Sequence, residues 1–198
     1  MADKIRLPIV FGLLASISGC QAPPPPDVRP FGDAQFWMTT QPVVYSIGST
    51  ADRIVIPRGF VTDFASIPKP LWTLGLTPYG QYSRAALIHD YLYWAQGCSR
   101  AQSDRLLLIA MKESKVGGFD EFAVYNGVHL GGTHSWQGNA KERASGLPRV
   151  IPRKYLRPDD PNMGWPAYRA FLVKEGVLDP VFEKNAAYCR YGDSTDVP

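Results

Sequence analysis

Three cysteines and three histidines in 198 residues leave little from which to build a metal centre. No Cys-x-x-Cys pair and no His-Glu-x-x-His occurs, so the common zinc patterns are excluded. Also missing are a phosphate-cradling glycine loop, a Gly-x-Ser-x-Gly elbow and any internal repeat. P-loop chemistry, the α/β-hydrolase nucleophile and solenoid folds therefore drop out. The apolar run from Leu7 to Leu14 is too short to span a bilayer as an ordinary transmembrane helix. No Lys/Arg-rich run appears either, and a formal net charge of +3 gives nucleic acid no electrostatic footprint to bind.

What the chain does have is enough apolar mass, 45% hydrophobic and 12% aromatic residues, for one globular domain with a core. Eighteen prolines and eighteen glycines imply turns and ordered loops rather than long regular elements. At the N-terminus Lys4 and Arg6 precede the apolar run, and small residues lead to Cys20. Ile17-Ser18-Gly19-Cys20 resembles the lipobox of bacterial lipoproteins. The resemblance implies cleavage before Cys20, lipidation of its sulfur and amino group, and a membrane partner reached through that lipid; the alternative is a plain secretory signal. Gln21, in place of the Asp that holds enteric lipoproteins at the inner membrane, favours the outer membrane. The chain then divides into a signal peptide (1–19), a lipid anchor with a Pro-rich tether (20–34, with Pro23 to Pro26 consecutive) and one globular domain (35–198). Lipidation of Cys20 leaves Cys98 and Cys189, which either form a disulfide tying the C-terminal segment to the middle of the chain or stay as two buried thiols.

The pattern predicts an α+β fold. Strand-like segments alternate with turn residues from Phe36 to Thr62, giving a small antiparallel sheet. It packs on an antiparallel helical hairpin over residues 83–115, with Ser83 capping the first helix and Gly97 as a left-handed stop. Ser99 with Gln102 forms a capping box for the second helix. Between sheet and hairpin, Asp63 or Ser66 can cap a turn. A third helix runs from Asp120 to about Leu130, ended by Gly131-Gly132, with His129 either pointing at the His89 site or bonded to a neighbouring group. The Trp136 region and Pro148 to Pro166 read as loop, a covering flap. A helix then starts at Pro166, and Asp179-Pro180 caps another reaching about Arg190.

In the hairpin, residues equidistant from the turn face each other, which sets His89 against Asp104 or Arg105. An imidazole held by a carboxylate has the parts of a general base, and Asp90, about a hundred degrees round the helix, is free to bind a hard cation. The run His89-Asp90-Tyr91-Leu92-Tyr93 with Asp104 resembles the secreted phospholipase A2 superfamily. That resemblance implies His89 as base, Asp104 and Tyr93 as its support, Asp90 as a calcium ligand with Asp63 contributing, and a phospholipid substrate. The chain departs from that superfamily in lacking its glycine-rich calcium loop and the cysteines that staple its helices. A longer resemblance, through Ile56 to Pro68, Trp72, Ala86 to Tyr93 and Ser99 to Asp104, is to the phage and prophage family known as domain of unknown function 1353, and it implies a phage-related origin.

Two functions follow as expectations. The first is a lipid-anchored envelope hydrolase acting on an ester or amide through His89, Asp104 and Tyr93, with a divalent cation, calcium foremost, on Asp90 and Asp63. The second is a non-enzymatic envelope protein that binds a receptor or phage tail component through an aromatic-rich loop between Trp136 and Trp165, as in superinfection exclusion. A third account of the His-Asp pair is a buried polar network that only fixes helix against sheet.

Overall fold

The computed structural model describes residues 24–64 and 82–198. The lipobox with Cys20, the first of the tether prolines and the turn at Ser66 lie outside these residues.

The α+β class holds, with two small antiparallel sheets in place of one. Strands β1 (Val28–Pro30), β2 (Trp37–Thr39) and β5 (Val61–Thr62) form the first, in the order β1-β2-β5. Strands β3 (Val43–Ser46) and β4 (Arg53–Ile56) form a hairpin with Val43 opposite Ile56 and Ser46 opposite Arg53. Its side chains alternate strictly, with Val43, Tyr45, Ile54 and Ile56 buried and Val44 and Val55 exposed, as a one-sided sheet requires. Val28–Pro30, assigned from sequence to the tether, instead pairs with Trp37–Thr39 and so belongs to the sheet. Proline is tolerated there because β1 is an edge strand.

The three-stranded sheet separates two cores. Trp37 and Phe60 point into a main core shared with the helices, while their neighbours Met38 and Val61 point into a second one with Phe31, Ile151, Trp165 and Leu172. Helix α1 (Tyr82–Ala95) runs through the main core and is buried on nearly every side, so its His89 and Asp90 must find partners inside the protein. Helix α2 (Arg100–Glu113) follows after a tight turn and carries the Ser99/Gln102 capping box. Ser83 lies within the first turn of α1 rather than ahead of it. The left-handed residue of the turn is Gln96, at φ 51°, not Gly97. Gly97 is needed for a different reason: a Cβ there would sit 2.6 Å from the carbonyl oxygen of Glu183. The freed carbonyls at the end of α1 are met by cations, Arg143 on Trp94 and Ala95 and Lys184 on Gln96.

Two expectations fail. Helix α3 runs unbroken from Gly118 to Ala144, straight through Gly131-Gly132, and turns the expected loop around Trp136 into a wall of the fold. Packing overrides propensity there, because Trp136 stacks edge-on against Tyr93 and Asn139 donates to the Tyr93 carbonyl. Helix α4 (Trp165–Lys174) begins with its proline in the first turn as read, but no α-helix follows Asp179. The Asp179 carboxylate accepts from the amides of Arg149 and Val150 and from the Trp94 indole, so it fastens distant segments rather than capping its own. The C-terminal segment ends in a 3-10 turn, Ala187–Asp193, joined to the α1–α2 turn by a disulfide between Cys98 and Cys189. That crosslink closes a separation of 91 residues, which in the chain-entropy picture is worth about 4.6 kcal/mol. Among the described residues, no helix is long and apolar enough to cross a membrane.

Candidate functional site

One turn of α1 projects polar side chains in two directions. On the α2 side, His89 Nε2 lies 3.3 Å from Asp104 Oδ1, and the Tyr93 hydroxyl donates to the same oxygen at 2.5 Å. The other carboxylate oxygen accepts from Arg100 at 2.9 Å, and His129 Nδ1 stands 3.8 Å away. Asp104 is fully buried and His89 is 3% exposed, so the centre of this cluster is closed to solvent, while Arg100 and His129 at its rim are part-exposed. Burial lowers the His89 pKa; Asp104 pulls the other way, but Arg100 opposes it. The imidazole is therefore neutral at neutral pH.

On the opposite side, Asp90 Oδ2 accepts from the Thr62 hydroxyl, whose own oxygen accepts from the Phe64 amide. Phe64 reaches this position with φ 50°, a left-handed conformation held by its buried ring against Trp37. Burial together with the charge on neighbouring Asp63 pushes the Asp90 pKa up to about 8, partly offset by Arg149 and Thr62. Two carboxyls from separate elements thus stand close together, Asp90 7% exposed and Asp63 about one-third exposed. Arg149 lies 3.4 Å from Asp63 and donates through Nε to the Val61 carbonyl, which fixes its plane.

Both clusters meet a cavity of about 450 Å³, but unequally. Asp63, Asp90 and Tyr93 line it and His89 does not. The opposite wall is the second half of α3, with His134, Ser135, Asn139 and Glu142; Arg149 and Arg169 close the ends. None of these six was singled out from sequence, because each sits in a stretch that reads as loop or as a packing helix. The one available signal was the helical spacing of Ser135 and Asn139 (i, i+4) and of Asn139 and Glu142 (i, i+3), beyond the glycine pair.

Calcium takes 6–8 oxygens; of the two predicted ligands, Asp63 faces the Arg149 guanidinium and Asp90 accepts from the Thr62 hydroxyl, so these side chains supply only part of such a shell. Among the described residues no group of three or more His, Cys, Asp or Glu side chains is placed to hold an ion. Of the aromatic surface expected between Trp136 and Trp165, Trp136 is half-buried against Tyr93 and Trp165 is buried in the second core.

No curated protein and no solved structure matches the chain. Residues 37–128, which carry β2 to β5, the α1–α2 hairpin and three of the four polar groups around Asp104, match the model of a family described as a protein of unknown function (DUF1353).

Proposed function

We propose that the protein is an envelope-anchored hydrolase, held by a lipid on Cys20, in which Asp63 and Asp90 are the proton-transfer pair and His89, Asp104 and Tyr93 position the helix that carries Asp90. The observation that carries this reading is the placement of two neighbouring carboxyls, one buried and one partly exposed, on the wall of a cavity large enough for a small ligand. Asp63, beside Arg149, takes a proton from water as the water oxygen bonds to the carbonyl carbon of an ester or amide. Asp90 gives its proton to the departing oxygen or nitrogen as that bond breaks. The pair ends with one proton, as it began, and the proton passes back from Asp63 to Asp90. No step needs a cation. The lipobox resemblance and the phage-family resemblance support an envelope setting and a phage-related origin.

The test is release of soluble product from isolated cell envelopes by the mature lipoprotein, in wild type, Asp63→Asn and Asp90→Asn. The reading requires losses of about 100-fold or more in both variants and an alkaline limb near pH 8 in wild type. Full activity in Asp90→Asn would sink it. The rival function, binding of a receptor or tail component without turnover, draws support from one feature, the exposed pair Leu178 and Val181, the latter wholly exposed. Charged substitutions there abolish partner capture under the rival reading and leave envelope hydrolysis unchanged under ours.

A further inference from the structure

The N-terminal segment is fastened to the domain almost back to its anchor point. Val28–Pro30 pairs as β1, the Asp27 carbonyl accepts from the Thr40 amide at 3.0 Å, and the Pro24 carbonyl accepts from Arg84 at 3.4 Å. From Pro24 back to Cys20 the chain is four residues long, a reach of at most about 14 Å. A lipid on Cys20 therefore holds the bilayer close to Pro24 instead of a full tether away. Arg84 also marks where Pro24 lies, because its second Nη donates at 2.5 Å to the carbonyl of Val44 on strand β3.

The outer face of the β3–β4 hairpin, beside this point, is uncovered. Val44 and Val55 stand opposite each other in the ladder, 41% and 50% exposed, and Pro42 is exposed ahead of them. Cross-strand neighbours on one face form a single apolar patch. Arg53 and Arg58, both exposed, bracket Val55 along the chain, and among the described residues neither forms an ion pair. Two acids flank the face: Asp52 is held by Arg190 and Tyr191, and Asp27 stands on the incoming segment. An apolar centre with arginines at its ends suits the boundary between headgroups and acyl chains, where the valines meet the apolar layer and the guanidiniums meet phosphates.

We infer that the outer face of the β3–β4 hairpin is a second membrane contact, resting on anionic phospholipid headgroups beside the lipid on Cys20. The inference rests on the lipid-anchor part of the reading above and is independent of the hydrolysis. Lys184 bonds the Gln96 carbonyl, about 18 Å along α1 from Arg84, so the neighbouring Val181 lies well away from this contact.

The mature lipoprotein in vesicles of phosphatidylethanolamine and phosphatidylglycerol tests it. With Cys20 lipidated and Cys98 bonded to Cys189, a single introduced cysteine is the free thiol that takes a fluorophore. Labels on Val44→Cys and, in a separate variant, on Val55→Cys are expected to be quenched by lipids brominated on the acyl chain and shielded from aqueous iodide. A label on Val181→Cys, at a wholly exposed position, is expected to behave in the opposite way. Vesicles of phosphatidylcholine alone open the Val55→Cys label to iodide. So do Arg53→Gln and Arg58→Gln, each shifting the docked population about fivefold toward the undocked. The inference is overturned if the labels on Val44→Cys and Val55→Cys meet iodide as freely as the label on Val181→Cys, or if phosphatidylcholine vesicles shield them equally well. Flotation of the wild-type protein with the vesicles reports the anchor by itself. Flotation with water-exposed labels removes the contact and keeps the anchor, and no flotation removes both.

Discussion

Asp90 and Asp104 are both buried carboxyls at helix α1, and their surroundings are opposite. Asp104 collects a tyrosine hydroxyl, an imidazole and a guanidinium within 3.3 Å, with a second imidazole just beyond. Asp90 collects one hydroxyl and a second carboxyl. A buried carboxylate surrounded by donors is a brace, since every lone pair is used and nothing is left to transfer. A buried carboxyl beside another carboxyl keeps a proton it can give away. The sequence motif puts its histidine with the brace and its aspartate with the proton, so the proposed hydrolysis turns on the cavity and not on the imidazole. The contrast breaks first at Asp104: Asp104→Ala strands Arg100, His89 and the Tyr93 hydroxyl, and we expect about 3–5 kcal/mol lost in denaturant unfolding. Asp90→Asn, which replaces a neutral acid by a neutral amide of the same shape, costs less than about 1 kcal/mol at pH 7. Equal losses in the two variants would erase the distinction between brace and proton store.

Local chemistry made the hairpin readable. Ser99 and Gln102 cap α2 through groups three residues apart, and counting outward from a short turn is enough to bring His89 to Asp104. The alternation in Val43–Ser46 and Arg53–Ile56 and the cysteine pair were legible on the same footing. What could not be read depended on partners far along the chain. Gly131-Gly132 looks like a helix stop unless Tyr93, some forty residues earlier, is known to lean on it. Asp179 looks like an N-cap unless the amides of Arg149 and Val150 are known to reach it. Arg149 shows no pattern of its own, yet it neutralises Asp63 across a separation of 86 residues.

Gly132 sharpens the comparison from the α3 side. Its missing Cβ is what lets the Tyr93 hydroxyl reach Asp104, so Gly132→Ala pushes that hydroxyl off the carboxylate. Overpacking of this kind costs about 1–3 kcal/mol, less the roughly 1 kcal/mol that alanine returns in helix propensity. A double-mutant cycle with Tyr93→Phe isolates the effect, since without the hydroxyl the added methyl meets less and the penalty shrinks. A penalty of the same size in both backgrounds would mean that the glycine serves some other contact.

Stability measured against pH also separates the two carboxyls. The unfolded chain titrates Asp90 near 3.9, and the folded one near 8, so between about pH 4 and 8 the folded state holds the extra proton. Stability from this group is complete below that window and is lost as pH rises through it, by up to about 1.4 kcal/mol per pH unit. His89 acts in the other direction: its pKa is lowered on folding, so its share is present above the unfolded value of about 6.5 and is lost on acidification. Wild type should therefore lose stability through Asp90 as pH rises from about 6.5 to 8, while below about 6.5 the two groups oppose each other. Asp90→Asn removes the Asp90 slope, so its unfolding free energy should overtake that of wild type by pH 8 and should fall on acidification through His89. If the variant keeps the wild-type slope between pH 6 and 8, the proton belongs to another group and Asp90 is a second brace.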